Sequence, residues 1–191
     1  MALPQEKYYT YADILNWPED ERVELIYGEP YLMAPGPSFE HQSISMAIAL
    51  QLGKHLEGKR CRVLCAPFDV CLFERNDDEP YEADTVVQPD IFVVCDPSKW
   101  DKRCCKGAPD LIIEILSPSS RQRDRLTKLN LYQRAGVKEY WIVDPDEKTV
   151  IVMTLEDGEH YAPTAYSSQA TVPVGVLEDC KIDLKPVFEG I

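Results

Sequence analysis

Histidine, positive charge and long apolar runs are all scarce in this sequence, and each scarcity closes off a class of function. Three histidines are too few for a His-rich metal centre. No stretch approaches the ~20 apolar residues that span a bilayer, so no membrane partner is expected. The opening residues MALPQEKYYTYAD contain no apolar signal-peptide core, so secretion is not expected and the reading is cytoplasmic. The seven cysteines show no pair of CxxC knuckles, which argues against a structural zinc site. An odd cysteine count in a chain long enough to build its own core reads as free thiols in a reducing compartment. Twenty Lys and Arg against 33 Asp and Glu give a net charge of −13, which argues against a broad electropositive footprint for nucleic acid. Two local basic clusters stand out: Arg121, Arg123, Arg125 and Lys128, then Lys99, Lys102, Arg103 and Lys106. There are no internal repeats, low-complexity tracts or clear linkers. With 191 residues, 45% of them hydrophobic, the chain reads as one domain over 1–191.

Patterning along the chain predicts an α/β fold with a mixed sheet. Thr10 is placed to cap a short helix that ends near Pro18. RVELIYGEPYLMAP reads as two strands turning at Tyr27, Gly28 and Glu29. From Ser38 to about Leu56, Ile44, Ala47, Ile48 and Leu52 recur at helical spacing. CRVLCAP, FDVCLFE, VVQPDIFVV and APDLIIEILS read as strands. ERNDDEPYEADT and CDPSKWDKRCCKG read as loops. A helix is predicted from Ser120 to Ala135, stopped by Gly136. KEYWIVDP then reads as a buried strand, and shorter strands follow.

Three residues in this frame carry chemistry. Glu114 stands in LIIEIL, flanked by aliphatics; an acid in a central strand needs a partner, a metal or a raised pKa. Asp90 follows Pro89, which removes a backbone donor and marks an edge or bulge where a side chain can be aimed into a cleft. Its plainer alternative is a turn cap. Lys128 shares a helix face with Leu131, Tyr132 and Ala135, and so leans toward the sheet and Glu114. Its plainer alternative is a surface pair with Asp124. Two neighbouring carboxylates suit Mg²⁺ or Mn²⁺, hard cations that take oxygen ligands. A lysine beside them can orient water at a phosphodiester. Glu24, in VELIYG, offers a third carboxylate. His41, in the first turn of the long helix, offers a base, a phosphate contact or a cap. Nothing around Ser117 resembles the GxSxG elbow of a serine hydrolase.

These segments together resemble the Uma-two family of restriction-endonuclease-like bacterial proteins, within the PD-(D/E)xK nuclease superfamily. The similar text is VELIYGEPYLMAP, EHQSIS, APFDV, VQPDIFVV, GAPDLIIEILSPSS and RDRLTKLNLYQRAGVKEYWIVDP, from about Tyr9 to Tyr161. The resemblance implies a restriction-endonuclease-like core with helices flanking a mixed central sheet. It implies that Asp90 is the Asp of the PD pair and Glu114 the acid that follows. Glu24 matches the family's N-terminal acid and His41 its HQ pair. The superfamily lysine normally stands two residues after the Glu, where this chain has Leu116; Lys128 is expected to take its role from the next helix.

The resulting expectation is a Mg²⁺- or Mn²⁺-dependent endonuclease acting on DNA. Asp90, Glu114 and the Ile115 carbonyl hold the metal. Lys128 orients the water, Glu24 and His41 assist, and Gln42 and Arg125 contact phosphate. A homodimer is expected, because superfamily nucleases often pair their sites and the edge strands need cover. Two other classes fit the same residues. One is a non-catalytic binding or regulatory module that keeps the fold, which the acidic balance favours. The other is a metal-dependent hydrolase of a small phosphate ester.

Overall fold

The structure is a computed structural model that describes residues 7–18, 21–33, 36–73, 80–117 and 123–191. The chain runs through α1 (Tyr11–Ile14), β1 (Val23–Ile26), β2 (Glu29–Leu32), α2 (Phe39–Leu56), β3 (Arg62–Cys65), β4 (Asp69–Cys71), β5 (Val86–Val87) and β6 (Ile91–Val94). It continues with β7 (Cys104–Lys106), β8 (Leu111–Ile115), a π-helical stretch (Arg123–Lys128), α3 (Leu129–Ala135), β9 (Glu139–Asp144) and β10 (Thr149–Glu156). β11 (His160–Ser167), β12 (Thr171–Pro173), β13 (Lys181–Asp183) and α4 (Lys185–Phe188) complete it.

The larger sheet has the order β11-β10-β9-β8-β6-β3, and a second sheet the order β2-β1-β5-β4-β7. β12 and β13 form a small ribbon. Only β8–β9 and β4–β7 pair in parallel among these strands. A parallel neighbour requires a crossover, and the stretch from Arg123 to Ala135 supplies it between β8 and β9. That crossover carries Lys128.

Strand alternation assigns the faces of the larger sheet. Leu111, Ile113 and Ile115 pack with Ile44, Ile48 and Leu52 of α2. Ile112 and Leu116 face the other way, toward Leu131 and Tyr132 of the crossover and Ile26, Val70 and Val87 of the second sheet. Period two therefore sends Glu114 to the face shared by α3 and the second sheet. α2 holds its place through four buried residues at four-residue spacing, Ile44, Ile48, Leu52 and Leu56. Each such side chain contributes roughly 1.5–3 kcal/mol by burial. Ser38 caps this helix, accepting the His41 amide at 3.2 Å.

Four sequence readings change. VVQPDIFVV is not one strand: Val86 and Val87 belong to the second sheet and Ile91–Val94 to the larger one, because Pro89 interrupts the ladder and the chain crosses between layers there. The loop predicted over CDPSKWDKRCCKG contains β7, paired to β4. The helix predicted from Ser120 opens, within the described residues, as a π-helical stretch that becomes α-helix at Leu129. The reading of all cysteines as free thiols fails at Cys61 and Cys95, which form a disulfide. They continue the β3–β6 register beyond Arg62 and Val94, a cross-strand neighbourhood that a 34-residue separation hides. The other five cysteines form no disulfide among the described residues. The hairpin turn is as expected, with positive φ at both Tyr27 and Gly28, as tight two-residue hairpin turns require. Gly136 ends α3 in the left-handed conformation. Of the predicted loop over 74–85, residues 74–79 lie outside the described ones.

Candidate active site

Three elements distant in sequence bring their charges together under the crossover. Lys128 Nζ donates to Glu114 Oε1 at 2.8 Å and to Glu24 Oε1 at 3.0 Å. Glu24 is 0% exposed, Glu114 4% and Lys128 2%. Lys128 is therefore buried rather than solvated, between two buried carboxylates; the Asp124 side chain of the alternative pair lies outside the described residues. Two further donors fix these acids. Tyr132 OH donates to Glu114 Oε1 at 2.7 Å, and the Gln88 amide donates to Glu24 Oε1 at 3.0 Å. Burial pushes the Tyr132 hydroxyl well above its ordinary range, with the nearby Glu114 and Glu24 charges adding to the shift. Tyr132 therefore stays protonated and donating.

Asp90 lies at the start of β6, where the β6–β8 register extended by one residue sets it opposite Glu114. Its Oδ2 accepts the Ile115 amide at 2.8 Å and lies 3.1 Å from His41 Nε2. The His41 side chain is 12% exposed and that of Asp90 20%. Among the described residues nothing hydrogen-bonds Asp90 Oδ1, so this oxygen is available to a ligand. Burial, followed by the charge of Asp90, raises the Cys65 thiol.

A polar chain leads outward from these groups. The Gln88 side chain donates to Asp69 Oδ1 at 2.8 Å and accepts from Arg22 at 2.6 Å. Tyr11 OH donates to Asp69 Oδ2 at 2.8 Å. Gln88 thus ties the second sheet to the carboxylate cluster through both its backbone and its side chain.

The structure brings together five residues singled out in the sequence: Glu24, His41, Asp90, Glu114 and Lys128. Ile115 joins them through its amide, donated to Asp90. Gln42 is not part of the cluster. It is exposed on the first turn of α2, and its side chain makes no hydrogen bond among the described residues. Arg125 lies in the π-helical stretch, and its side chain falls outside those described. Leu116, at the superfamily's usual lysine position, is 3% exposed and apolar-packed. Sequence reasoning did not assign Tyr132 and Gln88 to the site. Tyr132 had a signal, standing four residues after Lys128 on the same face; Gln88 stood only as the neighbour of Pro89.

The carboxylate oxygens of Asp90 and Glu114 and the carbonyl of Ile115 are hard donors, of the chemical type that Mg²⁺ or Mn²⁺ takes. Among the described residues no three His, Cys, Asp or Glu side chains form a ready metal cage. An ion here would take water for its remaining ligands, as Mg²⁺ commonly does.

Residues 7–185 match the model of Uma2, a family described as "Putative restriction endonuclease". The chain belongs to the Uma2 family. Its fold matches a crystal structure described as a "putative nuclease belonging to DUF820" from Anabaena variabilis, with a TM-score of 0.72 over 94% of this chain and 97% of that one. At 23% identity that likeness is one of fold. An uncharacterized protein of Synechocystis, slr1290, is 29% identical over 122 residues, 63% of this chain. The match spans 60% of that relative's length. Among the described residues no helix is long and apolar enough to cross a membrane.

Proposed function

We propose that this Uma2 chain is a Mg²⁺- or Mn²⁺-dependent endonuclease that hydrolyses DNA phosphodiesters. The observation that carries the reading is the convergence of Glu24, Asp90, Glu114 and Lys128 at the carboxyl end of β8. In sheets with parallel strands, ligands bind beyond the carboxyl ends. Asp90, Glu114 and the Ile115 carbonyl would hold the ion, which when bound would supply Lewis-acid activation of water and offset phosphate charge. Lys128 holds the Glu114 carboxylate in one orientation and would act on the reacting water through it. His41, against Asp90, is placed to take or return a proton. Gln42 and Arg125 are assigned to phosphate contact from the sequence alone. The family's description as a restriction endonuclease supports a nucleic-acid substrate. The protein acts in the cytoplasm as a homodimer that covers exposed edge strands such as β2.

One feature favours a non-catalytic module instead. Lys128 is sealed, with both carboxylates within hydrogen-bond distance, as in a structural ion cluster. Titration calorimetry of Mn²⁺ into wild type and Asp90→Ala/Glu114→Ala, followed by incubation with plasmid DNA, separates the readings. The nuclease reading expects Mn²⁺ binding and plasmid cutting by wild type, both lost in the double variant, from a protein with the solution mass of two chains. Binding without cutting supports the module or a small-ester hydrolase. No binding in wild type ends the metal assignment.

A further inference from the structure

The charge of this protein is unevenly placed. Residues 54–62 and 95–106 carry eight Lys and Arg against three carboxylates, a net of +5 in a chain of −13. The structure joins the two segments. The Arg62 guanidinium lies 5.3 Å from the Trp100 ring centroid, Arg60 reaches Asp96 at 3.9 Å, and the Cys61–Cys95 disulfide staples one segment to the other.

Several of these cations are presented to solvent. Arg62 is held by the carbonyls of Lys59, Arg60 and Cys61, so its position is fixed in advance. Trp100 and Cys105 bridge, and the Asp101 amide donates to the Cys104 carbonyl at 3.2 Å. The turn between them offers exposed Lys102 and Arg103. Trp100 is itself 42% exposed. Lys99 and Lys106 are spent locally, on the Ala108 carbonyl and on Asp101.

The β3–β6 ladder runs from this face to the candidate active site. Arg62 pairs with Val94 at one end and Cys65 with Ile91 at the other, and the Ala66 amide donates to the Asp90 carbonyl. Four residues from Asp90 to Val94 span about 13 Å at ~3.3 Å per residue. Duplex DNA rises about 3.4 Å per base pair, so the face lies roughly four base pairs from Asp90.

We infer that this face, built from Lys59, Arg60, Arg62, Trp100, Lys102 and Arg103, docks the phosphate backbone of duplex DNA. The inference rests on the nuclease reading and adds the path of the substrate. The net charge of −13 repels a polyanion overall, so attraction depends on local basic faces such as this one. Arg on an aromatic face, with lysines beside it, is the chemistry that grips phosphate.

The test measures binding of a fluorescent 20-base-pair DNA by anisotropy, without divalent metal, across a range of salt concentrations. Wild type is compared with Arg60→Glu/Lys102→Glu/Arg103→Glu and with a charge-matched control, Lys148→Glu/Lys181→Glu/Lys185→Glu. Lost phosphate contacts flatten the dependence of log affinity on log salt by about one per residue. The triple reversal is expected to lose at least tenfold in affinity at low salt, with a slope smaller by roughly 2 to 3. The control is expected to stay within about twofold of wild type. Equal loss in both, no loss in the triple reversal, or wild-type binding to duplex RNA but not DNA overturns the inference. Mn²⁺-dependent hydrolysis of a small phosphodiester, measured on the same proteins, isolates the chemistry. Hydrolysis kept by the triple reversal supports separate docking. Hydrolysis absent from every protein, with DNA binding lost only in the triple reversal, sinks the nuclease reading and leaves the docking face standing.

Discussion

Two buried glutamates sit on neighbouring parallel strands and are treated differently. Glu114, near the carboxyl end of β8, meets a cation and a phenol. Glu139, at the amino end of β9, meets neutral N–H groups: Trp141 Nε1 at 2.6 Å, the Val176 amide at 3.1 Å and the Gly175 amide. A Cβ at Gly175 would lie 2.9 Å from Glu139 Oε2, so glycine is what lets that backbone close on the carboxylate. Glu139 thus clamps the segment before β13 onto the sheet. Glu114 belongs to a cluster of ionised groups whose desolvation is costly and whose members depend on one another. A carboxylate held by neutral donors is sufficient for folding. One held by a buried ammonium and facing a second acid is more than folding needs, which points to function.

The strongest way to break this comparison is to remove the cation. Lys128→Met is expected to leave Glu24 and Glu114 buried without their ammonium and to cost ~3–5 kcal/mol. In a domain of this size that lowers Tm by roughly 2–4 °C per kcal/mol. Neutralising the acids as well, in Lys128→Met/Glu24→Gln/Glu114→Gln, is expected to recover most of the loss. If denaturant unfolding shows the triple variant no more stable than the single one, the cluster is not bound by charge and the contrast with Glu139 disappears.

Glu139 sharpens the other side. Burial raises its pKa, against the lowering effect of the Trp141, Val176 and Gly175 donors. A carboxyl with a raised folded pKa contributes stability that is fully present below its unfolded value, about 4.3, and is lost as pH rises through the folded value. Glu139→Ala strands buried donors and is expected to cost on the order of 2 kcal/mol near pH 4. That cost should shrink toward neutral pH. Unfolding midpoints of both proteins between pH 4 and pH 7 check the slope; a gap that widens with pH contradicts the assignment.

The two glutamates also show how far sequence reading reaches. LIIEIL advertises Glu114 because aliphatics flank it on both sides. Glu139, after Lys138 in KEYWIV, looks like the polar margin of a strand, yet it is buried to 1%. Helix α2, the β1–β2 hairpin and the stop at Gly136 follow from local rules of periodicity, turn chemistry and capping, so they were legible. The Lys128 contacts follow partly from helix geometry, which gave the face but not the partner on β1. The sheet change at Pro89, the strand β7 and the Cys61–Cys95 bridge depend on pairings between distant segments. No local pattern encodes those pairings, so the sequence left them unread.

The finest test concerns Tyr132, which stands to Glu114 as Trp141 stands to Glu139: a ring donor on a buried carboxylate. Its ring packs edge-on against Tyr140, with centroids 4.9 Å apart, so Tyr132→Phe keeps the shape and removes one donor. A hydrogen bond to a charged acceptor is worth ~1.5–3 kcal/mol. Lys128 still donates to the same Glu114 oxygen, so the expected loss lies at the low end, about 1.5 kcal/mol by denaturant unfolding. Because the Tyr132 hydroxyl is held well above its ordinary value of 10.0, the difference between the two proteins should persist to pH 9. A difference that stays flat as the pH passes about 10, instead of shrinking, means that Tyr132 ionises in the ordinary range in the folded protein. Its hydroxyl would then be solvated rather than sealed against Glu114, and the cluster would be open where the structure closes it.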